Sequence, residues 1–109
     1  MVMPEPMRIS GDGRRYIGKR LLVGITYETA AGEFLSREQF HGRILEAGKG
    51  EIVLERADTG ERVSLAPMLQ EAEPGEYRLW STGEVVVDPD YFARFTWTKS
   101  PNEQNERPA

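Results

Sequence analysis

Residues 39–67, QFHGRILEAGKGEIVLERADTGERVSLAP, constrain the fold more than any other stretch of the chain. Apolar residues come there in short runs broken by glycine-bearing turns. His41 to Glu46 carries Ile44 and Leu45, Gly48-Lys49-Gly50 interrupts, Ile52 to Leu54 follows, and Asp58-Thr59-Gly60 interrupts again. Arg62 to Ala66 then alternates, with Val63 and Leu65 set against Arg62 and Ser64. Side chains of an extended strand point to two faces in turn, so period two marks a strand with one buried face. Glycine accepts the positive φ that tight reversals need. Strands at this spacing predict a sandwich or barrel. Three of them alone leave an apolar face and two open edges for the rest of the chain to cover.

The flanking segments read the same way. Leu21 to Tyr27 alternates, with Leu21, Val23, Ile25 and Tyr27 on one face and Leu22, Gly24 and Thr26 on the other. Gly24 inside a strand predicts a bulge or the close approach of another backbone. A second strand runs from Phe34 into the central stretch, with a bulge or short break expected at Ser36-Arg37-Glu38. After Pro67, the spacing of Met68, Leu69 and Ala72 predicts a short helical turn that plugs one end of the β-structure. Strands are expected at Tyr77 to Trp80, Val85 to Val87 and Phe92 to Thr98, the last placing Ala93, Phe95 and Trp97 on one face. The expectation is a mainly β fold: a small antiparallel β-barrel or strongly bent sheet of about six or seven strands with one short helical turn. It comprises a flexible N-terminal arm over 1–13, a single domain over 14–98 and a disordered tail over 99–109.

Composition narrows the chemistry. A chain of 109 residues suits one domain with one modest core. It has no cysteine, which removes disulfides, Cys-based zinc sites and thiolate nucleophiles, and suits a reducing, cytoplasmic setting. No apolar run approaches the roughly 20 residues that span a bilayer, so no membrane partner is expected. The net charge of -4 disfavours nucleic acid. The charge is uneven. Residues 1–24 carry five basic and two acidic side chains, and the remaining nine basic and sixteen acidic residues lie beyond, so a basic patch would sit at Arg14 to Arg20.

Few residues invite catalysis. His41 is the one histidine, with no orienting partner near it in sequence, and reads as a strand residue. Asp88-Pro89-Asp90 sets two acids about a proline but lacks the calcium-loop pattern and reads as a turn. Gly11-Asp12-Gly13-Arg14-Arg15 lacks the Gly-Lys-Ser/Thr ending of a phosphate loop, and Gly18-Lys19-Arg20 leads into a strand where such a loop leads into a helix. No catalytic, metal or cofactor residue is assigned. Six aromatics, Tyr77, Trp80, Tyr91, Phe92, Phe95 and Trp97, cluster late in the chain with Arg78 and Arg94 between them. Aromatics beside cations stack on bases, yet a small β-domain also needs large side chains for its core. Phe92, with Tyr77 or Trp80, is expected on the outside.

Gly18-Lys19-Arg20-Leu21-Leu22-Val23 opening a strand, Phe40-His41-Gly42-Arg43-Ile44 as a bent strand, and Ile52-Val53-Leu54 before a glycine turn and Val63-Ser64-Leu65 resemble the Sm-like and SH3-like small β-barrels. The resemblance covers Gly18 to Pro67, about half the chain. It implies a small barrel and, in the Sm-like case, RNA binding. The first RNA-binding loop of that family carries Asp and Asn, whereas this chain reads Glu46-Ala47-Gly48-Lys49-Gly50-Glu51, so no binding residue is carried over. The expected function is a non-catalytic binding module. Its expected partner is a protein or a second copy of the chain, held at a sheet edge or an exposed aromatic face. RNA binding is the alternative, and a small-molecule or carboxylate-using enzyme the least supported reading.

Overall fold

A computed structural model describes residues 7–9, 11–79 and 82–99. Among the described residues nine strands follow in order: β1 (Met7–Arg8), β2 (Arg20–Thr29), β3 (Phe34–Ala47), β4 (Ile52–Arg56), β5 (Arg62–Leu65), β6 (Met68–Glu71), β7 (Glu76–Arg78), β8 (Val85–Val87) and β9 (Tyr91–Lys99). Seven form one strongly curled, half-barrel sheet ordered β1-β6-β9-β2-β3-β4-β5, and β7 and β8 form a separate hairpin. All pairs are antiparallel except the central one, where β9 runs parallel to β2 from Leu21↔Tyr91 to Thr29↔Lys99. Among the described residues no helix is long and apolar enough to cross a membrane.

The alternation of β2 becomes burial. Leu21, Val23 and Ile25 line the inside of the curl with Phe40, Ile44, Ile52, Leu54, Leu65, Leu69 and Ala93, and Tyr27 and Phe95 pack on the rim. Each large aliphatic side chain buried there contributes about 1.5–3 kcal/mol. β4 pairs beside β3, and its backbone comes close to β3 at Gly42. At Gly42 an added Cβ would lie 2.0 Å from the carbonyl oxygen of Glu55, so only glycine permits that approach. The β3–β4 register then shifts between Ile44 and Glu46. Gly60 closes the β4–β5 turn at φ +76°, as its place after Asp58-Thr59 predicts.

The structure departs from the sequence expectations at several points. Met68 and Leu69 lie in a strand, because Leu69 pairs with Met7 and Gln70 with Phe92. The helical turn sits instead at Arg14–Tyr16, where Tyr16 enters the core. The segment expected as an N-terminal arm supplies β1 to the sheet edge and Ile9 to the core, with the Ile9 N–H donating to the Pro67 carbonyl at 2.9 Å. β3 is continuous through Ser36–Glu38, and of the two alternatives expected there it is the bulge that occurs, one residue earlier at Leu35, where pairing passes from Tyr27↔Ser36 to Glu28↔Phe34. A Cβ at Gly24 would meet nothing within 4 Å, so no backbone approaches there. Phe92 is covered: β7 and β8 fold over that face, and Leu79, Val86 and Tyr77 pack with Leu22 and Phe92. Of the tail expected over 99–109, Lys99 ends β9, and residues 100–109, like Trp80, lie outside the described residues.

The Asp88-Pro89-Asp90 turn has a structural task. Asp88 Oδ1 accepts from the Gly75 N–H at 2.7 Å, and Asp90 Oδ2 accepts from the Arg20 N–H at 2.9 Å. Asp88 closes the base of the β7–β8 hairpin, and Asp90 ties the start of β9 to the start of β2. Asp88 takes φ 49°, a conformation in which Asp is enriched among non-glycine residues.

Candidate interaction edge

β2, β3 and β9 extend beyond the strands that flank them. β6 reaches β9 only at Tyr91 and Phe92. β4 reaches β3 only from Gly42 onward. Residues 93–99 of β9 and 34–40 of β3 therefore pair with β2 on one side and, among the described residues, with no strand on the other. Alternate backbone N–H and C=O groups along such an edge point outward and form a template for a further strand.

The two faces of this three-stranded extension differ. On the inner face, Trp97 lies edge-on to Tyr27 at 5.8 Å and tilted against Phe95 at 6.3 Å. Trp97 keeps 38% of its surface exposed at the end of the core. Tyr27 donates its hydroxyl to Glu38 Oε1 at 3.1 Å, and Glu38 pairs with Arg56 at 3.0 Å. Arg56 stacks over Phe40 at 4.2 Å and also holds Asp58 at 2.7 Å. Burial, and then the hydrogen bond to Glu38, push the Tyr27 hydroxyl up to about 12. The Arg56 hydrogen bond holds the Asp58 carboxyl below its ordinary range, and hydrogen bonding to Asp58 raises Arg56 in turn.

The outer face is polar. Gly24 leaves the middle of β2 bare. Thr26, Arg37, Gln39, Arg94 and Thr96 surround it, lining an open trough of about 540 Å³. Among the described residues neither Arg37 nor Arg94 lies within ion-pair distance of a carboxylate. Each guanidinium instead rests near a ring, Arg37 5.6 Å from Phe34 and Arg94 5.7 Å from Phe92. Phe34 itself is 60% exposed.

The basic start is differently placed from what its charge count suggests. Arg14 pairs with Asp12 at 2.7 Å, Arg15 donates to the Tyr16 hydroxyl at 2.7 Å, and Arg20 donates to the Asp88 carbonyl. His41 does find a partner that its sequence neighbours did not reveal. Its Nε2 lies 2.8 Å from Glu84 Oε2, pinning the β7–β8 hairpin to β3. Among the described residues no three His, Cys, Asp or Glu side chains converge as metal ligands. The missed feature is the free edge: β9 alternates like any strand, and nothing in its own sequence says how much of its length a neighbour covers.

The chain matches no family model, and comparison with curated proteins and solved structures finds no similar protein.

Proposed function

We infer that this protein is a non-catalytic binding module that takes a partner strand along the free edge of β9. The observation that carries the reading is the one-sided pairing of residues 93–99, set beside a half-exposed Trp97. A strand added there gains backbone hydrogen bonds for affinity and side-chain contacts on two faces for selectivity. The inner row, Phe95 and Trp97, offers aromatic surface, and the outer row, Arg94, Thr96 and Thr98, offers polar groups.

Amide exchange on the full-length chain tests the reading. Protection over residues 93–99 is measured at rising protein concentration and against a library of extended peptides. The expected result is protection gained there in at least one arm and weakened by Trp97→Lys, with the melting temperature little changed. No added protection in either arm overturns it.

The trough favours a second reading. Arg37 and Arg94, free of carboxylates among the described residues, suit the phosphates of single-stranded RNA. Two phosphate contacts give a salt dependence of roughly -1.4 in log K per log salt. A salt titration with single-stranded RNA decides: no binding at low salt, or binding unchanged in Arg37→Ala/Arg94→Ala, removes this reading.

A further inference from the structure

We propose that the strand taken up by β9 is β9 of a second copy, paired antiparallel about a two-fold axis through Thr96. This rests on the edge reading above and gives it a partner and a register. The free window fixes the register. β6 already occupies β9 at Tyr91 and Phe92, and the β2–β9 ladder ends at Thr29↔Lys99. An incoming copy of the same strand that avoids β6 and uses the whole window must set residue 93 against residue 99, which places the axis at 96.

In that register Thr96 faces Thr96 of the second copy, and Arg94 faces Thr98, on the outer face. Phe95 faces Trp97 twice on the inner face. Aromatic pairs and threonine pairs are favourable cross-strand neighbours, and no like charges stand opposite each other. Each Trp97, now packed on one side by Tyr27, would gain Phe95 of the second copy on its open side. A slip by one residue would turn the aromatic row of one copy toward the polar row of the other. The interface is isologous and closes as a dimer, leaving no further β9 edge for a third copy.

The other long free edge does not offer this. Residues 34–40 of β3 paired in the same way would set Arg37 against Arg37, and the register shift opposite Tyr27 and Glu28 distorts that end. Among the described residues β5 exposes only the four residues Arg62–Leu65 and β1 only Met7–Arg8.

The absence of cysteine makes the register directly readable. Full-length Thr96→Cys, Arg94→Cys and Thr98→Cys are sized, then oxidised under mild conditions. The expected result is a dimer of the unmodified chain and a disulfide-linked dimer of Thr96→Cys. Arg94→Cys alone and Thr98→Cys alone stay unlinked, since like residues would lie four positions apart, about 13 Å at about 3.3 Å per residue. That exceeds the roughly 7 Å Cα separation a disulfide spans. Mixing the two variants yields the linked heterodimer. A chain monomeric at every concentration overturns the proposal, as does a dimer that links through Arg94→Cys or Thr98→Cys alone and not through Thr96→Cys. Neither result removes the edge reading if extended peptides still protect residues 93–99; that reading fails only when copies and peptides alike leave those amides unprotected.

Discussion

Gly42 and Gly24 both lie inside strands, yet one added carbon has opposite consequences at the two. At Gly42 it meets the Glu55 carbonyl at 2.0 Å, backbone that cannot rotate away. Gly42→Ala is expected to destabilise the protein by about 2–3 kcal/mol, the upper part of the range for overpacking. At Gly24 the same carbon meets open space, and Gly24→Ala is expected to stabilise by roughly 0.5–1 kcal/mol through reduced chain entropy. Urea denaturation of both variants checks the pair. Tyr27 yields a pH prediction. A tyrosine whose folded value is raised to about 12, above the unfolded value of about 10, holds its proton better in the folded state. Its stabilisation is fully present below pH ~10 and is lost as pH rises through ~12. Tyrosinate absorbance should show a late ionisation near that pH, absent in Tyr27→Phe. Asp58 behaves in the opposite sense: its lowered value gives stability that is present above the ordinary carboxyl range and falls away as acid protonates it.

At the scale of elements, the β7–β8 hairpin stands apart from the seven-stranded sheet. Among the described residues it shares no ladder with the main sheet and is held on it by Leu79, Val86 and Tyr77 packed on Leu22 and Phe92 and by His41–Glu84. Val86→Ala removes two buried methyl groups from that small cluster. It is expected to cost about 1–3 kcal/mol locally and to lower amide protection over residues 76–87 while β2 stays protected. Loss of protection throughout the sheet would mean that the hairpin is a structural part of the core. The element scale also shows where sequence reading runs out. Two apolar residues followed by two polar ones, Met68-Leu69-Gln70-Glu71, are too few to separate one helical turn from one short strand, and Pro67 can open either. Pairing with Met7 on one side and Phe92 on the other decided for the strand. Phe92 went unrecognised as a partly buried residue for a related reason. Alternation correctly sets it opposite Phe95 and Trp97, but only the hairpin folding back makes its face a second interior.

For the whole molecule, the decisive contact is the parallel ladder between β2 and β9, which joins chain segments some seventy residues apart. Such non-local pairing must be reached before it stabilises anything, so folding in the millisecond-to-second range is expected by stopped-flow fluorescence. The same ladder makes β9 indispensable. A chain ending at residue 90 leaves β2 with one partner and exposes Val23 and Ile25, and it is expected to lack the cooperative thermal transition of the intact protein by circular dichroism. Point changes on the free edge, rather than deletion of β9, are therefore the informative way to probe binding.

What the residues settled unaided is local: extended segments, their inward and outward faces, and turns such as Asp58-Thr59-Gly60. These follow from side-chain alternation and backbone sterics, which act over a few neighbouring positions. Which strands became neighbours, that β9 lies parallel to β2, that Gly42 is where two backbones come close, and that residues 93–99 have no second strand beside them among the described residues were decided only in three dimensions. The edge is a difference between the length of one strand and the reach of another, and that difference exists only once both are packed on the same core.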